Sequence, residues 1–265
     1  MAFPSGSPFP WGPLPPRRME PEILDQTDVL PADRLAAYNG LDRLQRLART
    51  ARRQWNAARP ALRPAIAAGR PIRWVDLACG SGRILLDVVR IARRQGVRIA
   101  PVGVDFSDES LAIAKRNADA AGIDVQWVTS DLVAAPLPPE VVDADAIGCS
   151  LFLHHLPDDQ VRELLAKIAA TDATLVVDDL RRSRLSFALA YLTGRLFTRS
   201  RIVHEDGAIS VRAALEPSEL RAIADDAGLD DATLLTQWPE RMVLVRTAPG
   251  IGCEREAPHA AMSEG

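Results

Sequence analysis

The residues with chemistry to offer lie at a few points along the chain. Val75-Asp76-Leu77-Ala78-Cys79-Gly80-Ser81-Gly82-Arg83 begins apolar, turns on two glycines and runs into Ile84-Leu85-Leu86-Asp87-Val88-Val89, which has helical spacing. A strand, a tight turn and a helix start in that order aim free backbone N–H groups and the positive end of a helix dipole at a bound group. Glycine suits the turn because a Cβ would keep a ligand off the backbone. Asp105-Phe106-Ser107 ends a second apolar run, and its carboxylate can accept hydrogen bonds from both hydroxyls of a diol. Ser130-Asp131-Leu132 ends a third. Further on, Leu153-His154-His155-Leu156 supplies two imidazoles, groups that exchange a proton near neutral pH. One of the pair could equally point into the core and satisfy a backbone carbonyl. Asp178 or Asp179 could orient a histidine or face a bound acceptor, and Asp179 could equally cap the next helix. Last, Thr198 to Gly207 concentrates Arg201, His204 and Asp206 in what reads as a surface loop or part of a binding site.

These residues need a frame, and the pattern supplies one. Strand 72–78 and helix 82–95 are followed by strand 98–105, helix 108–121, strand 124–129, strand 144–152, helix 157–170, strand 173–178 and helix 181–197. Repeated βα units imply a parallel sheet with right-handed crossovers. After a helix at 217–227, the strands 232–238 and 241–247 are joined so tightly that they must be antiparallel. Ligands of such sheets bind beyond the carboxyl ends of the strands, where Asp76, Asp105 and Asp131 fall in succession. Ser150 lies near the end of the fourth strand, ahead of the histidine pair. Ahead of the sheet, 31–58 reads as one helix with an arginine-rich outer surface, read as a solvated face. Tyr38 and Asn39 on it are candidate pocket residues. The segment from Leu185 to Phe197 is apolar nearly all round, which predicts a buried helix or the lining of a lipophilic pocket, with membrane-surface contact as the weaker option.

The dinucleotide fingerprint needs a third glycine where this chain has Leu85, and a phosphate-binding loop needs Lys where it has Arg83. The pattern Asp76-x-Ala78-x-Gly80-x-Gly82 resembles instead motif I of class I S-adenosylmethionine (SAM) methyltransferases, with Ala78 where the family usually has glycine. His154-His155 resembles the Leu-His-His segment that often follows the fourth strand in UbiE-like members, and the segment after Thr198 is similar to one in bacterial small-molecule enzymes of that group. The resemblance implies an α/β fold: a Rossmann-like seven-stranded sheet, parallel with an antiparallel last strand, flanked by helices and preceded by an N-terminal helical cap. It implies SAM as cofactor, held by Asp76, Ala78, Gly80, Gly82, Asp105, Phe106, Ser130, Asp131, Leu132 and Ser150. It points to His154, His155 and His204 as catalytic or acceptor-contacting residues. The implied reaction is methyl transfer to a small lipophilic acceptor: O-methylation of a phenolic or polyketide-type hydroxyl, or C-methylation of a quinol-like ring. A non-catalytic SAM-binding protein and an NAD(P) oxidoreductase are the alternatives.

Composition sets the outer limits. The chain has 265 residues, 47% of them hydrophobic, and a net charge of −3, which gives no sign of a nucleic-acid partner. Three cysteines, Cys79, Cys149 and Cys253, lack metal-ligand spacing, and no metal site is expected. No apolar run is long enough for a membrane span, so a cytoplasmic protein without integral membrane association is expected, as monomer or homodimer. The expected organisation is a disordered proline-rich leader at 1–22, a helical cap at 23–70, the cofactor-binding domain at 71–248 and a disordered tail at 249–265. Met19 resembles an ordinary start, which leaves translation from Met1 or Met19 open.

Overall fold

The computed structural model describes residues 16–26 and 29–248; the rest of the expected leader, residues 1–15, and the tail from 249 onward lie outside the described residues. Seven strands form one sheet in the order β3-β2-β1-β4-β5-β7-β6, with β1 Ile72–Leu77, β2 Ile99–Asp105, β3 Gln126–Thr129, β4 Ala146–Ser150, β5 Thr174–Leu180, β6 Thr233–Gln237 and β7 Arg241–Arg246. The first five run parallel, and β7 inserts antiparallel between β5 and β6. The strand order reverses between β1 and β4, and a ligand crevice opens at that point in open sheets of this kind. Both faces of the sheet are covered, which is why β1, β4 and β5 read as continuous rather than alternating apolar runs.

The helices that carry the crossovers begin and end where their caps dictate. Helix α4 (Arg83–Arg94) starts from Gly82, and α5 (Asp108–Ala121) starts at Ser107, whose hydroxyl accepts from the Ser110 N–H, and stops at Gly122 in the left-handed conformation. α7 (Asp158–Ala169) links β4 to β5, and α10 (Pro217–Asp226) opens with a reciprocal capping box between Glu216 and Glu219. A short α6 spans Pro139–Val142.

The expected single helix at 31–58 is two pieces, α1 (Pro31–Leu47) and α2 (Thr50–Ala58), and a short α3 (Arg63–Ala67) follows after a turn. Arg49 takes φ +56 between the first two, a left-handed residue that breaks the hydrogen-bond ladder. The break lets α2 pack on the sheet, where Trp55 is fully buried against Trp74 of β1 with ring centroids 6.0 Å apart. The arginines of this region are not simply solvated either. Arg53 Nε lies 2.7 Å from Asp178 Oδ2 and Arg241 Nε 3.0 Å from Asp178 Oδ1, all three side chains being buried.

Three further expectations are corrected. Beyond Ser200 the segment is not a loop: Arg201–Ala213 is helix α9, capped by the Ser200 hydroxyl, which accepts from the Val203 N–H. Helix α8 (Arg184–Phe197) is not buried; Leu185, Tyr191, Leu192, Leu196 and Phe197 are exposed, and its close packing is through Ser186, Phe187 and Gly194. Finally, residues 16–22 are laid on the body rather than hanging free. Arg17 donates to the carbonyls of Leu156 (2.8 Å) and Ala213 (2.6 Å) and pairs with Asp158, while Asp206 of α9 accepts from the N–H groups of Ile23 and Leu24 at 2.8 and 3.0 Å. Composition reads proline-rich chain as floppy, but these bonds to helix ends and carbonyls far along the sequence hold its last residues.

Candidate active site

The loop after β1 is shaped by backbone conformation. Ala78, Gly80 and Gly82 have φ of +50, +51 and +71. The loop is tied to the neighbouring strand by the Cys79 N–H, which donates to the Val104 carbonyl at 3.0 Å, and by the Gly80 N–H, which donates to Asp105 Oδ2 at 2.8 Å. Asp105 Oδ1 accepts from the Ser107 N–H at 3.0 Å. One carboxylate thus fastens the loop and starts the next helix.

The two glycines serve different ends. A Cβ on Gly80 would meet only Tyr38 Cε1 at 3.6 Å, so its open side faces the crevice. A Cβ on Gly82 would sit 2.8 Å from the Trp127 ring and 3.1 Å from Ala114. Packing, together with its left-handed φ, therefore demands glycine at 82. Tyr38 of α1 stands over the loop with its hydroxyl 2.7 Å from Ser110 Oγ, and Asn39 lies in a separate cleft with Thr198 and Arg199.

Asp76 decides the kind of ligand. It is 2% exposed, and its Oδ1 has no hydrogen-bond partner. Burial, reinforced by the Asp105 charge, pushes its pKa up to about 8. Asp105 is also raised, chiefly by burial. Two buried acids beside one glycine loop call for a positively charged guest, and a buried carboxylate oxygen left unpaired is costly until one arrives. SAM carries an ammonium and a sulfonium and fits that demand; a dinucleotide pyrophosphate does not. S-adenosylmethionine is the cofactor this loop suits.

The remaining expected cofactor residues are placed as follows. Phe106 is 70% exposed at the end of β2. Asp131 Oδ1 accepts from the N–H groups of Val133 and Ala134, so half of that carboxylate already caps a turn. The Leu132 side chain is in the core, not in the crevice, and Ser130 follows β3 with its N–H donating to the Asp105 carbonyl at 3.0 Å. Ser150 is buried, and its Oγ accepts from Gln54 Nε2 at 2.6 Å. Gln54 was not legible as a site residue, because it sits on a helix that sequence alone does not dock.

The histidines form a second centre past β4. Leu151 turns the chain at φ +53, and the short 3₁₀ turn Leu153–His155 follows. His154 is buried, with Nδ1 2.7 Å from Asp179 Oδ1. Asp179 also accepts from the N–H groups of Phe152, Leu153 and Leu180. Strand alternation sends Asp178 the opposite way to its arginines, so the two adjacent acids have separate partners. Burial favours neutral imidazole, yet Asp179, with Glu22 adding, outweighs it and raises the His154 pKa, while Asp179 is held low against its own burial. Glu22 Oε1 lies 3.6 Å from His154 Nε2 and 4.0 Å from His155 Nε2 and accepts from the Ser210 hydroxyl. His155 Nδ1 is 3.3 Å from Asp25 Oδ2. His204 is not brought to this group: its Nε2 is 3.0 Å from the Thr198 carbonyl, at the junction of α8 and α9, and Arg201 pairs with Glu205 on the surface.

Residues 75–171 match the model of the methyltransferase-domain family, the stretch that runs from the glycine loop through the histidine turn to the end of α7. That stretch is similar to the methyltransferase-domain family. Its sequence is 38% identical over 78 residues to the demethylmenaquinone methyltransferase of Thermus thermophilus, covering 29% of this chain and 34% of that one. It is 25% identical over 158 residues to the ubiquinone biosynthesis O-methyltransferase of Salmonella paratyphi A, covering 59% and 61%. These matches span less than two thirds of each relative. Among solved structures, the methyltransferase fold is shared with the plantazolicin methyltransferase BpumL in complex with SAH (TM-score 0.57, 17% identity, 79% of this chain and 74% of that one) and with the methyltransferase SibL (TM-score 0.56, 16% identity, 83% and 60%).

Proposed function

We propose that this protein is a SAM-dependent methyltransferase acting on a small lipophilic acceptor, with a phenolic or polyketide-type hydroxyl as the group methylated. The carrying observation is the buried, unpartnered Asp76 Oδ1 beside the glycine loop, a cation-seeking group in the motif I position. When bound, SAM supplies a methyl group already activated on a sulfonium. The chain's own residues have the remaining tasks. Asp76 and the loop N–H groups hold the amino-acid end, and Asp105 is the acid for the ribose. Tyr38 and α1 cover the loop and shield it from water. The His154–Asp179 pair faces the acceptor side, in line with the histidine turn's place at the carboxyl end of β4. C-methylation of a quinol-like ring is the second reading, and the likeness to a demethylmenaquinone methyltransferase favours it.

Two measurements test the proposal. Calorimetric titration with S-adenosylhomocysteine should show micromolar binding that NADH does not match. Incubation with SAM and a panel of phenols and quinols should give a product heavier by one CH2, a methyl group in place of a hydrogen, and its fragmentation separates O- from C-methylation. Tight SAH binding without product from any acceptor would leave a cofactor-binding protein and refute the transferase reading.

A further inference from the structure

The N-terminal segment, the histidine turn and α9 bring Glu22, His154 and His155 together, though 132 residues separate Glu22 from His154 in sequence. One donor atom from each lies within 4.8 Å of the others. Each imidazole has a carboxylate beside Nδ1: His154 is hydrogen-bonded to buried Asp179 at 2.7 Å, and His155 lies 3.3 Å from the exposed Asp25. Each Nε2 is thereby left facing the same Glu22 oxygen, at 3.6 and 4.0 Å. These gaps exceed the roughly 2.7–3.2 Å of a hydrogen bond. The shorter is close to, and the longer about 0.6 Å beyond, the separation of about 3.4 Å between two ligands of a four-coordinate ion with bonds near 2.0–2.1 Å. A carboxylate behind each histidine is also how metal-ligating imidazoles are oriented, because it fixes the tautomer and leaves the far nitrogen free to bind. Glu22 is itself fixed by the Ser210 hydroxyl, and Asp179 by three backbone N–H groups.

We propose that Glu22, His154 and His155 form a binding site for one divalent transition-metal cation of the zinc type. The donor set, two imidazoles and a carboxylate, suits such an ion, and three protein ligands leave a coordination position open. The open position takes an oxygen ligand, such as the hydroxyl of an acceptor. That last role rests on the proposed function; the site does not. The ligand Glu22 arrives only because residues 16–26 are docked on α9, so the segment completes the site.

The test uses the full chain, treated with EDTA and dialysed, then titrated with ZnCl2 by calorimetry and with CoCl2 by visible absorption. One equivalent of Zn2+ and the ligand-field bands of a low-coordinate Co2+ site are expected. Glu22→Gln and His155→Ala should each weaken Zn2+ binding at least tenfold, and Asp25→Asn, which removes only the carboxylate behind His155, by about tenfold. Unchanged SAH binding and melting temperature in these variants show that the fold is intact. Absence of binding to the wild type, or wild-type affinity in both ligand variants, overturns the proposal. Zinc binding without methyl transfer sinks the functional reading alone, and methyl transfer without zinc binding sinks this inference alone.

Discussion

At the scale of single residues, Asp76 is the most informative group. Its raised pKa makes the cofactor-free protein pH-sensitive. An acid whose folded pKa is pushed up from 3.8 to about 8 favours the folded state fully below the unfolded pKa, and that contribution is lost as pH rises towards 8. Asp76→Asn should therefore flatten the fall in melting temperature between pH 5 and pH 8.5, and it should weaken SAH binding; a wild-type pH profile with wild-type affinity would refute the assignment. The two loop glycines give a paired prediction. Gly80→Val should abolish SAH binding while the chain still folds, at the cost of the backbone strain of a β-branched residue at φ +51, since a side chain there meets only Tyr38. Gly82→Ala should lower stability by about 2–4 kcal/mol in urea unfolding, from a left-handed residue with a Cβ plus overpacking against Trp127 and Ala114. Wild-type SAH affinity in Gly80→Val would show that the loop is read wrongly.

At the scale of elements, the cap is held by charge as well as by packing. Asp178 is fully buried between Arg53 of α2 and Arg241 of β7, so Asp178→Ala strands two buried guanidinium groups and should cost about 3–5 kcal/mol by chemical denaturation. A loss under about 1 kcal/mol would mean that water reaches the arginines. The N-terminal segment depends on Asp206, which accepts the Ile23 and Leu24 N–H groups. Asp206→Ala should raise hydrogen exchange at those two amides well before it changes exchange in β1 or β4. Helix α8 presents Leu192, Leu196 and Phe197 to the outside, an apolar surface on an element that joins the sheet to α9, on which the N-terminal segment is docked.

At the scale of the whole molecule, the alternation of strands and helices, the glycine loop and the three strand-end acids were all legible in the sequence. They are local patterns: apolar runs with a period, turn residues at fixed offsets, and acids at the ends of runs. The antiparallel finish was legible too, since Pro239-Glu240 is too short a link for a crossover. The docking of Glu22 against His154, the burial of Arg53 on Asp178 and the contact of Gln54 with Ser150 were not legible. Each joins residues 96 or more positions apart through side chains whose local surroundings look polar and exposed. Helix α9 was missed because its charges at Arg201, Glu205 and Arg212 mask a buried stripe at Val203, Asp206, Ser210 and Val211. The sequence by itself determined the sheet, the cofactor loop and the positions of the acids, because hydrophobic period and backbone preference act over a few residues. Only the tertiary structure decided which acid serves which partner, that the segment at 16–26 closes over the histidines, and that three donors meet around one gap, because those depend on how distant elements pack and which charges burial forces together.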